Sequence, residues 1–191
     1  MSTSTIKQQK QSLNNQKMNK LFLTLVAVIF SSTLFAQSAF DKFDGQESVT
    51  SVIVNKKMFE LMSKVKVDAS DKQAQAYMGL LKKLDNLKVF TTNSAKPASE
   101  MKSTVNSYLK SNPLDELMRV NDGGKNVKIY VKSGASSNQV KELLMFIEGA
   151  NAKNETVLLS LTGNFDLDEI SALTEKMKLP GGDSLKKASK Q

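Results

Sequence analysis

The chain has 191 residues with 27 basic and 19 acidic side chains, a formal charge of +8, and no histidine, cysteine or tryptophan. Without histidine or cysteine, the Ser-His-Asp triad, thiol nucleophiles and ordinary zinc sites are excluded. Four of the lysines and none of the acids precede residue 37, so the remainder carries only +4; with Arg119 as its one arginine, it lacks the arginine-rich, aromatic-interleaved signature of a nucleic-acid binder.

Residues 1–36 read as an export signal. Lys7, Lys10, Lys17 and Lys20 form a basic lead, Leu21–Phe30 an apolar core, and Ser31, Ser32 and Thr33 begin the small-residue stretch that ends at Ala36. The apolar run falls short of the roughly 20 residues that a membrane-spanning helix requires. The expectation is therefore cleavage after Ala36 and delivery to the periplasm or the extracellular space, with Met18 as an alternative start. No later run is long enough to span a membrane. The remaining 155 residues suit one domain, residues 37–180, able to bury about 68–70% of its unfolded surface without covalent staples.

In chain order, "SVTSVIVN" (48–55) is rich in β-branched residues and predicts a strand. "KKMFELMSKV" places apolar side chains at 58, 61, 62 and 65, a helical spacing, and "DKQAQAYMGLLKKL" (71–84) aligns Ala74, Tyr77, Met78, Leu81 and Leu84 on one face, with Ser70 or Asp71 available as a cap. "NLKVFTTN" predicts a second strand, so a strand–helix–strand crossover is possible here. "KPASEMKSTVNSYLKSNP" predicts a helix with Pro97 in its first turn and Pro113 at its close. "DELMRV" and "VKIYVKSG" flank a turn at Asp122 and Gly123, a hairpin.

Residues 140–148, "VKELLMFIE", form an apolar run that suits a strand or a short helix. A strand is favoured because "GANAKNE" turns straight into "TVLLSLTGNF". "DLDEISALTEKM" (166–177) predicts a last helix with Leu167, Ile170, Leu173 and Met177 on one side. Residues 181–191 read as a disordered polar tail. This order predicts an α+β fold: a largely antiparallel sheet of five to six strands with three to four helices packed on it.

Three pieces, "SVTSVIVNKKMFELM", "LDELMRVNDGGKNVKIYVKSG" and "ETVLLSLTGNFDLDEISAL", resemble the small exported Bacteroidetes proteins grouped as domain of unknown function 4252. The resemblance runs from about Phe40 to Leu179. It implies an exported envelope protein of a Gram-negative bacterium and carries over no activity, because none of the three pieces is a catalytic motif.

Several short patterns invite a chemical reading. Ser99 to Lys102, "SEMK", matches the S-x-x-K nucleophile motif, with "KSG" at 132–134 and "SSN" at 136–138 beside it; the order is wrong and the domain too small for that enzyme class, and Ser99 reads more simply as a helix-start residue. Asn164 to Glu169 with Glu175 mimics a calcium loop, but Glu169 stands where glycine is required, and Asp166 with Glu169 makes a helix capping box. Methionines 58, 62, 78, 101, 118, 145 and 177 suggest thioether copper ligation less than adaptable core filling. Asp115 and Glu116 would leave opposite faces of a strand. Lys82, Lys83, Lys186 and Lys187 read as a solvated face rather than a lipid or polymer contact. No catalytic, metal or cofactor residue is assigned. The function expected is binding of an envelope protein or a surface polymer; the alternatives are a hydrolase using carboxylates or a Ser-Lys pair, and a small-molecule or metal carrier.

Overall fold

A computed structural model describes residues 39–188 apart from 123, 137, 150–154 and 179. The expected export signal, the hairpin's Gly123 and most of the 149–155 turn lie outside these residues. Six strands, β1 (Thr50–Asn55), β2 (Leu84–Thr92), β3 (Asp115–Asp122), β4 (Lys125–Ser133), β5 (Gln139–Gly149) and β6 (Thr156–Asp166), form one sheet. Its order is β1-β2-β6-β5-β4-β3, and every neighbouring pair is antiparallel. The helices are α1 (Lys56–Met62), α2 (Lys72–Lys83), α3 (Ala95–Ser111), α4 (Ile170–Met177) and α5 (Gly182–Ala188). The α+β class and the antiparallel sheet agree with the sequence.

Chain direction accounts for the topology. One helix between two strands returns the chain for a parallel partner, but α1 and α2 make two passes, so β2 arrives antiparallel to β1. The strand–helix–strand crossover that the sequence left possible between them therefore does not form. A crossover does occur at α3, which carries the chain from β2 past three sheet positions to β3 at the far edge. From β3 the chain meanders back until β6 closes against β2.

The sheet is covered on both faces. On one, Leu87 and Val89 of β2, Val127, Ile129 and Val131 of β4, Leu143, Met145 and Ile147 of β5 and Val157, Leu159 and Leu161 of β6 join side chains from α1, α2, α4 and α5 in a single core. On the other, α3 buries Met101, Val105 and Tyr108, joined by the N-terminal segment. There the Phe40 ring lies 4.9 Å from Tyr108 and the Phe43 ring 5.7 Å from Phe90. Lys88 of β2, buried on this face, pairs with Asp41. The apolar run of β5 is thus a strand sandwiched between two cores, the setting in which alternation disappears.

Two expectations are corrected. The helical spacing of apolar residues at 58, 61, 62 and 65 does not mark the buried face: Phe59 is fully buried and Met62 packs against the core, while Met58, Leu61 and Val65 are exposed. The helix starts directly from β1 at the Asn55 cap, whose side chain accepts from Met58 N at 3.0 Å, so the strand's exit sets the inward face. The tail after Pro180 was expected to be disordered; residues 182–188 form α5 and bury Leu185 and Ala188. Gly181 turns the chain there at φ +76°, a conformation that strains any side chain, and an added Cβ would press on the tips of Ile147 and Met145, 2.5 Å from Ile147 Cδ1. Two apolar residues three apart, Leu185 and Ala188, suffice to dock one helical stripe, a signal hidden among lysines.

Candidate interaction site

The two edges of the sheet differ sharply. β3 carries Asp115, Glu116, Arg119 and Asp122, and its register slips between Glu116 and Met118. Arg119 donates to both Glu116 carboxylate oxygens, at 2.9 and 2.6 Å, and that bond holds the Glu116 pKa below its ordinary value. Charges and a bulge are the means by which an edge strand resists pairing with another chain. β1 has neither. Thr50 to Asn55 is uncharged and proline-free, and runs in unbroken register against β2 for six residue pairs.

β1 also exposes apolar side chains. Val54 packs against the core, but Val52 is 46% exposed and Ile53 42%. On α1, Met58 and Leu61 are about half exposed, and Val65 just beyond it is more so. These five are the exposed large apolar residues among the described residues. They sit on one edge strand and the helix that leaves it, while Phe59 and Met62 tie the inner side of that helix to the core. Lys56, in α1's first turn, donates to Asp85 Oδ1 at 2.9 Å, and the bond raises its pKa. Lys57 reaches Glu60 at 4.0 Å, and its side chain is 76% exposed.

The other patterns take structural places. Ser99 and Lys102 lie on α3, where Ser99 is exposed and Lys102 donates to Glu148 Oε1 of β5 at 2.6 Å. Lys132–Gly134 ends β4, and Gly134 N donates to Gln139 O across the turn to β5; Ser137 of the "SSN" stretch lies outside the described residues. Asp166 and Glu169 form the expected capping box, each accepting from the other's backbone, and Lys83 Nζ bridges both carboxylates at 3.1 and 2.9 Å. Lys83 is thus a staple between α2 and the turn that leads from β6 into α4 rather than part of a solvated face, while Lys82, Lys186 and Lys187 are exposed. Met62, Met78, Met118, Met145 and Met177 pack in or against the main core and Met101 under α3, whereas Met58 faces out. Asp115 pairs with Val131 and Glu116 with Tyr130, on opposite faces.

A polar cleft of about 380 Å³ opens where β1, β2 and β6 meet, lined by Ser48, Thr50, Thr91, Thr92, Ser94 and Glu155. Thr92 Oγ1 within it donates to Ser48 O at 2.6 Å. Among the described residues no cluster of three or more acidic side chains could hold a metal, and no helix is long and apolar enough to cross a membrane.

One buried polar pair lies under α3. Tyr108 Oη donates to Glu142 Oε1 at 2.6 Å, with both residues buried. Burial pushes the Glu142 carboxyl above its ordinary value of 4.5, against the opposing pulls of the Tyr108 hydrogen bond and the Lys132 charge. Burial, reinforced by Glu142, also raises the Tyr108 phenol. The pair anchors α3 to the sheet. Because the folded state holds the Glu142 proton more tightly than the unfolded chain does, stability from this group grows as pH falls from the raised value to 4.5, and is lost as pH rises back through it. Glu142→Gln keeps an acceptor for Tyr108 and removes the titration; its urea midpoint should vary less with pH over that interval than the wild type's. Tyr108→Phe should cost about 1–3 kcal/mol by leaving the carboxyl without its donor.

These features describe a layered antiparallel domain with one guarded edge and one open, apolar edge. The profile of the family described as Domain of unknown function (DUF4252) matches residues 43–173, and the chain belongs to that family. The match includes all six strands and ends within α4. Comparison with curated proteins and with solved structures finds no match.

Proposed function

We propose that the protein is an exported cell-envelope protein that works by binding rather than by catalysis, with the β1 edge and the outward side of α1 as its docking surface. The observation that carries this reading is the gathering of Val52, Ile53, Met58, Leu61 and Val65 beside an edge strand that has no charge, proline or bulge. Such an edge offers unpaired backbone donors and acceptors to an added strand, with apolar contacts to hold it. Export rests on the basic lead, short apolar core and small residues of positions 1–36.

Placing a photoreactive aromatic residue at Ile53 and irradiating living cells tests the surface. A discrete adduct at 53, and none from the same residue at Arg119 on the opposite edge, is the expected result. Equal labelling at both edges, or none at either, would remove the docking surface. Mature chain beginning at Gln37 in the envelope fraction is the matching expectation for export; uncleaved chain in the cytosol would overturn it.

A further inference from the structure

We infer that the occupant of the β1 edge is a second copy of this chain, joined antiparallel through β1 about a two-fold axis normal to the sheet. The inference rests on the reading of β1 and α1 as a docking surface and names the partner. Three observations single out self-pairing.

The first is charge. Ahead of β1 stand Asp44 and Glu47, and behind it stand Lys56 and Lys57. Asp44 is held beside the strand by the Ser51 hydroxyl, which donates to it at 2.6 Å. An antiparallel neighbour of the same sequence sets the acidic end of each copy against the basic end of the other. Two complementary contacts then arise from one surface, as a two-fold interface requires. With Val52 on the axis, the end of β1 at Asn55 comes beside the partner's Val49, which brings Lys57, at the start of α1, toward the partner's Glu47. Both side chains are open to this use, Glu47 being exposed and Lys57 76% so.

The second is facing. A two-fold normal to the sheet keeps each copy's α1 on the same face, so the two helices flank one seam. Met58 and Leu61 of each copy then have apolar surface opposite them, and Val52 meets the partner's Val52. Ile53, on the other face, stands level with the partner's Ser51.

The third is regularity. A strand added to an edge must follow its register, and β1 holds an unbroken register with β2 along its whole length. The product is a continuous twelve-stranded sheet whose outer edges are the two charged, bulged β3 strands. Closure with no open edge left is what separates a finite dimer from a growing fibre.

The test is the mass in solution of the protein as recovered from its expressing cells, by light scattering across a dilution series. A dimer is expected that dissociates on Ile53→Lys, with an unchanged circular dichroism spectrum. Glu47→Lys alone and Lys57→Glu alone should each weaken the dimer roughly tenfold, since each acts at both symmetric contacts. The double exchange should recover most of that loss, because opposite charges then face each other again. Recovery is the result that a merely structural role for either residue would not produce. A monomer at all concentrations, a dimer indifferent to Ile53→Lys, or a double exchange no better than the single changes would overturn self-pairing. A monomer that still forms a photoadduct at 53 of other than twice the chain mass would overturn it while leaving the docking surface standing; a monomer with no adduct would remove both.

Discussion

Phe59→Ala is expected to be the most damaging single truncation on the first helix, costing about 3–5 kcal/mol, the usual range for emptying a buried phenyl site. Phe59 is wholly enclosed between α1, α2 and the sheet. It is one of two α1 side chains that hold the helix to the core, Met62 being the other. The neighbouring Leu61→Ala, half exposed, should stay within about 0.5 kcal/mol. The comparison belongs at protein concentrations low enough to favour monomer, since a partner on α1 would lend Leu61 an apparent stability that depends on concentration. Chemical denaturation of both variants reads the difference directly. A larger loss at 61 than at 59 would mean that α1 presents its other face to the sheet.

Gly163→Ala should be nearly as costly, at about 3 kcal/mol, although it adds one methyl group. α2 ends at Lys83 and β2 begins at Leu84 with no intervening loop, and that junction crosses β6 at Gly163, the residue paired with Leu84. A Cβ at 163 would stand 2.4 Å from Lys83 O and 2.9 Å from Leu84 Cα. These are backbone atoms, so no side-chain rotation relieves the overlap. The strands must part, and the Lys83 bridge to Asp166 and Glu169 is strained with them. For a domain of this size the melting temperature should fall by about 6–12 °C. Gly79→Ala is the control: it lies within α2, nothing stands within 4 Å of its added Cβ, and it should stabilise by about 0.5–1 kcal/mol. A Gly163→Ala protein melting within about 2 °C of the wild type would contradict the close approach of β2 and β6 at this point.

Where the sequence could be read, local pattern and tertiary setting agree. β5 and β6 are central, with both faces covered, so their near-continuous apolar runs carry the strand signal in composition and length rather than in alternation. The capping box at Asp166 and Glu169 was legible because its chemistry is confined to four consecutive residues. What failed was non-local. The spacing at 58, 61, 62 and 65 is helical, but a helix of two turns has too few apolar residues to fix its own inward face, and the exit from β1 decides it. The α5 helix was hidden because its burial rests on Leu185 and Ala188 meeting a surface built by strands some forty residues earlier.

The candidate site was the least legible feature. "SVIV" is apolar at both parities, as a strand covered on both sides would be. That it lies at an edge follows only from the strand order, and with it the exposure of Val52 and Ile53. The sequence does hold a signal once this is known: the acid-before, base-after arrangement of Asp44, Glu47, Lys56 and Lys57 around an uncharged strand.

The N-terminal segment sets a limit on processing. Phe40 and Phe43 are enclosed, at 1% and 0% exposure, and Asp41 between them neutralises the buried Lys88. Trimming that removed Phe40 and Asp41 would take away one enclosed ring and the carboxylate paired with Lys88. Among the described residues the fold thus marks Phe40 as the first that it encloses.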